Sequence, residues 1–172
     1  MYASLGRVLL NYFERPGSNR YSKSDIHSPV LTKYTDTNPT LERTSHVSAA
    51  TVHQVFNTLT DVYRPGEETG WRYFTHAKKI AWKTGTSYGY RDGWAVGVTP
   101  EYTVGVWVGN ADGEGRPGLT GTDAASPFLF SIFSVLPATS WFQMPVSETE
   151  RIAVCRQSGY RATSLCGQQD TL

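Results

Sequence analysis

Lys83-Thr84-Gly85-Thr86 places one cation, two hydroxyls and a backbone position without a Cβ inside four residues. Lys83 can meet an anion, and Thr84 and Thr86 can hydrogen-bond one. Gly85 lets a ligand chain lie close against the main chain. The tetrad sits in Ile80-Ala81-Trp82-Lys83-Thr84-Gly85-Thr86-Ser87, which reads as a strand running from an apolar start to a polar, exposed end. The chemistry it suits is holding an extended, anion-bearing ligand along a strand edge. A Lys-Thr-Gly triplet alone arises by chance in roughly one chain of this size in twenty-five, so the elements around it carry the argument.

Those elements read as follows. Residues 2–13 carry Tyr2, Leu5, Val8, Leu9 and Tyr12 at helical spacing, with Met1 where a cap would stand; Pro16-Gly17-Ser18-Asn19 ends the helix. Pro29–Lys33 and Thr40–Arg43 are short extended candidates. A second helix, capped by Thr44 or Ser45 and stopped by Pro65-Gly66, carries Val52, Val55, Phe56, Leu59, Val62 and Tyr63 as an apolar stripe. Three strands follow a polar connection: Lys79–Ser87, Gly93–Val98 with Trp94, Val96 and Val98 on one face, and Tyr102–Asn110 with Val104, Val106 and Val108 alternating. Short connections make both neighbouring pairs antiparallel. Gly97, Gly105 and Gly109 are expected to flatten one face for a helix. After a Gly-rich loop over 112–121, Thr122 or Ser126 caps a helix containing Phe128, Leu129, Phe130, Ile132, Phe133, Val135 and Leu136, expected to be buried on the sheet and ended by Pro137. The fold class is α/β in the broad sense, more narrowly α+β: an antiparallel sheet packed by helices. The organisation reads as one body over 1–140, then a segment over 141–172 in which Gln143–Glu150 is a linker and Arg151–Leu172 is the start of a truncated Cys-containing module.

The totals narrow the function classes. The chain has 172 residues, 39% hydrophobic and 18% charged, enough for one domain with a substantial core. A net charge of +1 gives no electrostatic case for nucleic acid or an anionic membrane. The four histidines show no ligand-like spacing, the Gly-rich loop lacks a following Gly-Lys-Ser/Thr, and no cofactor or metal is expected. No apolar run is long enough to span a bilayer. Cys155 and Cys166 can pair in an oxidising compartment or stay as two thiols, and the sequence leaves both open. Trp71, Trp82, Trp94 and Trp107 read as core or cleft wall, Asp92 and Glu101 as turn residues, and Arg116 as solvated.

Taken together, Lys83–Ser87, Arg91–Gly97 and Thr103–Asn110 resemble the penicillin-binding proteins, and more narrowly the transpeptidase domain of the class A, bifunctional enzymes. The tail Val154–Tyr160 with Cys166 is similar to the region following that domain in type 1C members. The resemblance implies an acyl-serine transpeptidase of peptidoglycan synthesis, acting on D-Ala-D-Ala stem peptides and acylated by β-lactams. The parent enzyme would also be a glycosyltransferase, anchored in the inner membrane and facing the periplasm. It implies that Lys83 supplies charge near the substrate carboxylate and the proton network, and that Thr84 and Thr86 hold that carboxylate. The Thr86 N–H would be an oxyanion-hole donor, Gly85 would let the peptide pair with the strand, and Tyr88, with Tyr90, would line the cleft.

The family's other two signatures, Ser-x-x-Lys with the nucleophile and Ser-x-Asn with a proton shuttle, are not in this sequence. Ser4-Leu5-Gly6-Arg7 comes nearest, and Arg cannot serve as the base. The expectation is an N-terminally truncated domain whose partner is its own missing N-terminal part. Alone, it neither acylates with penicillin nor cross-links peptides, and it tends to self-associate. A β-lactamase or carboxypeptidase of the same superfamily is the alternative, with a non-catalytic scaffold module behind it.

Overall fold

The computed structural model describes residues 1–15, 17, 20–26, 45–65, 70–73 and 77–171. The extended candidates Pro29–Lys33 and Thr40–Arg43, the Thr44 cap and Gly66 lie outside them.

Helix α1, Tyr2–Glu14, buries Val8, Leu9 and Tyr12 along the expected stripe. Helix α2, Ala49–Leu59, is capped by Ser48, whose hydroxyl accepts from the Thr51 N–H at 3.1 Å. Ser45 closes a small turn with Val47 instead. The apolar stripe also outruns the helix. Thr60 donates its hydroxyl to the Asn57 carbonyl at 2.7 Å and tightens the last turn, so Val62 and Tyr63 fall beyond it. Val52 and Phe56 are buried, whereas Val55 and Tyr63 face solvent.

Strands β1, Ala81–Thr86, β2, Asp92–Val98, and β3, Thr103–Gly109, form an antiparallel sheet in that order. Both expected hairpins are present. The register sets Trp82 opposite Gly97, Lys83 opposite Val96, and Gly85, Trp94 and Trp107 in one row. Alternation then assigns the faces. One face carries Trp82, Thr84, Thr86, Gly93, Ala95, Gly97, Val104, Val106 and Val108, and the other carries Lys83, Gly85, Trp94, Val96, Val98, Gly105 and Trp107.

Helix α3, Ser126–Val135, covers the first face. Leu129, Phe130 and Phe133 join Ile80, Trp82, Ala95 and Ala125 in a buried cluster, with Val104, Val106 and Val108 packed against it. The fully buried Leu129, Phe133 and Ile80 side chains each contribute about 1.5–3 kcal/mol by leaving water, and the alanines and half-buried valines less. Only part of α3 is buried: Phe128, Ile132 and Val135 are exposed, because one sheet face can cover only one stripe of a helix. A π-helical turn, Gly121–Ala125, leads into α3 and is capped by Thr120, not by Thr122 or Ser126. Ser126 bonds back to the Thr122 carbonyl. At the other end, Lys78 donates to the carbonyls of Phe133 and Leu136.

The three glycines do not share a face. A Cβ on Gly97 would stand 2.6 Å from Phe133, so it is Gly97 that admits α3. Gly105 and Gly109 lie on the opposite side, and nothing approaches Gly105.

That opposite face is covered at one end, where Ala81 and Val98 join α1, α2 and Phe142 in a second buried cluster. Residues 141–148 lie along α1 and α2. Tyr12 and Ser147 hydroxyls meet at 2.7 Å, and Tyr21 donates to Glu148 while receiving the Ala49 N–H. Strands β4, Ala153–Cys155, and β5, Gln169–Thr171, pair antiparallel, and a Cys155–Cys166 disulfide ties the strip. The chain is thus α+β, an antiparallel sheet packed by helices, as the resemblance implies for part of a transpeptidase domain. Among the described residues, no helix is long and apolar enough to cross a membrane.

Candidate ligand-binding edge

β1 changes character half-way along. Ala81 and Trp82 are buried, and Lys83 to Thr86 are half-buried or exposed. The apolar start anchors the strand; its polar end projects past the cluster under α3. Among the described residues β1 pairs only with β2, so its other edge presents main-chain N–H and C=O groups to a ligand.

Within the tetrad, Lys83 and Gly85 stand on the open face. The Lys83 ammonium reaches only the Thr84 carbonyl among the described residues. A Cβ on Gly85 would meet nothing nearer than Trp94 Cβ at 4.0 Å, an ordinary contact. Internal packing does not demand glycine there, and its effect is to leave the strand surface bare. Thr84 and Thr86 turn to the α3 side, where the π turn meets them. The Gly121 N–H donates to Thr86 Oγ1 at 2.9 Å, and Thr84 Oγ1 lies 3.4 Å from Thr122 Oγ1.

Gly121 is pressed into the sheet. A Cβ there would overlap the carbonyl oxygens of Trp94 and Gly85, so glycine is needed for the turn to reach the tetrad. Gly121 and Thr122 are the residues that sequence reasoning missed at this site. The only local signal was a Gly-Thr pair closing a loop before an apolar helix.

After β1, Ser87 receives the Asp92 N–H at 2.8 Å and closes the turn into β2. Tyr88 is 98% exposed in that turn and Tyr90 is half-exposed at φ 56, a left-handed conformation uncommon for tyrosine. The Tyr88 ring therefore stands free of β1. Asp92 is not a turn residue: it opens β2 and accepts the Trp107 indole N–H at 2.9 Å. The Trp107 and Ser87 hydrogen bonds hold its carboxyl below the usual carboxylate value. Trp94 and Trp107, at 48% and 43% exposure, form a wall beside Lys83 and Gly85, whereas Trp82 is core. Among the described residues, no group of His, Cys, Asp and Glu could hold a metal ion.

The site is thus one cation, three hydroxyls and a free strand edge, with no nucleophile–base pair beside them among the described residues. No family model matches the chain. Three curated proteins do, in part. The chain is 48% identical over 61 residues to penicillin-binding protein 1C of Escherichia coli (strain K12), covering 36% of this chain and 8% of that protein. It is 37% identical over 86 residues to penicillin-binding protein 4 of Bacillus subtilis (strain 168), covering 50% and 13%. It is 34% identical over 95 residues to penicillin-binding protein 1A of Clostridium perfringens, covering 52% and 11%. The likeness is to penicillin-binding proteins. The matched stretches span only about a tenth of those relatives.

Proposed function

We propose that this chain is the C-terminal part of a penicillin-binding transpeptidase domain of the class A, type 1C-like kind, over residues 1–140. Residues 141–172 are then a linker, packed against α1 and α2 over 141–148, and the start of a Cys-containing module. It serves peptidoglycan synthesis in the periplasm by supplying the substrate-facing wall of an acyl-serine cleft. The observation that carries this reading is the free edge of β1, with Lys83, Thr84, Gly85 and Thr86 displayed on it, in a chain partly similar to three penicillin-binding proteins.

In that cleft an extended peptide ending in D-Ala-D-Ala pairs with the edge of β1, and Gly85 leaves room for its backbone. Lys83 draws the terminal carboxylate and Thr84 and Thr86 hydrogen-bond it. The Thr86 N–H stabilises the oxyanion formed when a serine attacks the penultimate carbonyl, a role worth about 2.7–4 kcal/mol in comparable sites. Tyr88 borders the cleft once substrate is present. The serine and its lysine base are not among this chain's motifs. The chain alone therefore binds but does not turn over, and β-lactams meet the wall without forming an ester. No cofactor takes part.

Backbone NMR of the chain titrated with an N-acetylated peptide ending in D-Ala-D-Ala tests this. Shifts confined to Lys83–Tyr88 and their β2 partners support it. A silent β1, with shifts elsewhere or nowhere, refutes it.

A further inference from the structure

Thr122 is 38 residues from Thr84 in sequence, yet their hydroxyl oxygens lie 3.4 Å apart. That is well beyond the roughly 2.7–2.8 Å of a good O–H···O bond. Among the described residues neither hydroxyl has another hydrogen-bond partner, and both residues are half-buried at the site's rim. The approach is enforced by backbone. Gly121 donates its N–H to Thr86 Oγ1, and its Cα packs where a Cβ would strike Trp94 and Gly85 carbonyls. The adjacent acid, Asp123, is engaged by the Thr120 hydroxyl at 2.6 Å, at the outer end of the turn.

We infer that Thr122 is a further binding residue of this site, sharing with Thr84 one oxygen of the ligand's terminal carboxylate. An oxygen about 2.8 Å from each Oγ1 closes the triangle whose base is the 3.4 Å gap, and both hydroxyls then donate to it. Lys83, across the strand, supplies the opposite charge. The ligand class is therefore a free C-terminal carboxylate, preferred to its amide because the charged oxygen accepts both hydroxyl hydrogen bonds more strongly than an amide oxygen does and because only the anion draws Lys83. The inference rests on the transpeptidase-wall reading.

The test titrates the chain, Thr122→Val and Thr122→Ser with two peptides ending in D-Ala-D-Ala, one with a free carboxylate and one amidated, followed by NMR. The parent chain prefers the acid. Thr122→Val weakens acid binding by about tenfold, as loss of a hydrogen bond to a charged group does. It weakens amide binding by less, since a hydrogen bond to a neutral oxygen is worth less than one to a charged oxygen, and Thr122→Ser restores the acid preference. Thr122→Ala must behave as Thr122→Val does, and stands in for it should the valine lower the melting temperature. If the parent binds neither peptide, or both equally, the transpeptidase reading fails and takes this inference with it. If the parent prefers the acid and both hydroxyl-free variants bind it unchanged, only the role of Thr122 is overturned.

Discussion

The two faces of the sheet differ in what they do with the same three strands. Under α3 the face is sealed: Trp82, Ala95, Gly97 and Phe133 interlock, and the glycine is there because a helix needs its space. On the other face α1 and α2 cover only the Ala81–Val98 end, and Lys83, Gly85, Trp94 and Trp107 stay open. There Gly85 and Gly105 have no close neighbour to accommodate, and only Gly109, at the far end of β3, is tight, against the Arg91 carbonyl and the Trp107 ring. A buried cluster seals the α3 face, and the proposed recognition falls along the free edge of β1, with the tetrad straddling both faces because its side chains alternate.

Substitutions that fill or empty the sealed face should break this contrast most visibly. Phe133→Ala is expected to cost about 3–5 kcal/mol in chemical denaturation. Trp107→Ala, although it removes a larger side chain, should cost far less, because Trp107 is 43% exposed. Equal losses would mean that the open face is a hidden core. Next in size, Gly97→Ala should cost about 1–3 kcal/mol as Phe133 is displaced.

A pH series probes the covered end of the open face. Asp25 is buried beside α1. Burial alone would raise its carboxyl, but the Ser22 N–H, Asn11 and Arg15 together hold it below the usual value. His53 on α2 is pushed down by burial and by the Lys79 charge, against a hydrogen bond with the Phe142 backbone. Both groups lose protons more readily folded than unfolded, so their stabilisation is complete above the unfolded values of 6.5 and 3.8. It is lost as pH falls, first below 6.5 through His53, then below 3.8 through Asp25. Melting temperatures of His53→Gln and Asp25→Asn should flatten the upper and lower windows respectively.

The smallest stability effects belong to the tetrad. Gly85→Ala and Lys83→Met should stay within about 0.5 kcal/mol of the parent, while both suppress binding of a D-Ala-D-Ala peptide in the same NMR titration. A tetrad variant that unfolds the chain would make β1 structural.

Much of this contrast was legible in the sequence. Alternation in Val104, Val106 and Val108, and connections too short for crossovers, determined the sheet and its antiparallel order. The helical spacing of Val8, Leu9 and Tyr12 located α1. What periodicity could not give was termination and long-range closure. The apolar pattern of the second helix continues past the point where Thr60 turns its hydroxyl onto the backbone, so periodicity alone overstates its length. Gly97, Gly105 and Gly109, three positions on two strands, show no common register until the strands are paired. Gly121 and Thr122 reach the tetrad through tertiary packing alone, so no spacing rule marks them. The tetrad itself was visible from residue types, since a cation, two hydroxyls and a bare backbone need no register to be recognised.

In the proposed function, this chain supplies the substrate-facing wall while its sequence lacks the Ser-x-x-Lys pair. Incubating it with a penicillin and recording both its intact mass and its backbone NMR spectrum tests that directly. Reversible shifts at Lys83, Thr84, Gly85 and Thr86 with no gain in mass are expected. A covalent adduct, or a spectrum in which β1 does not respond, would contradict the proposed function.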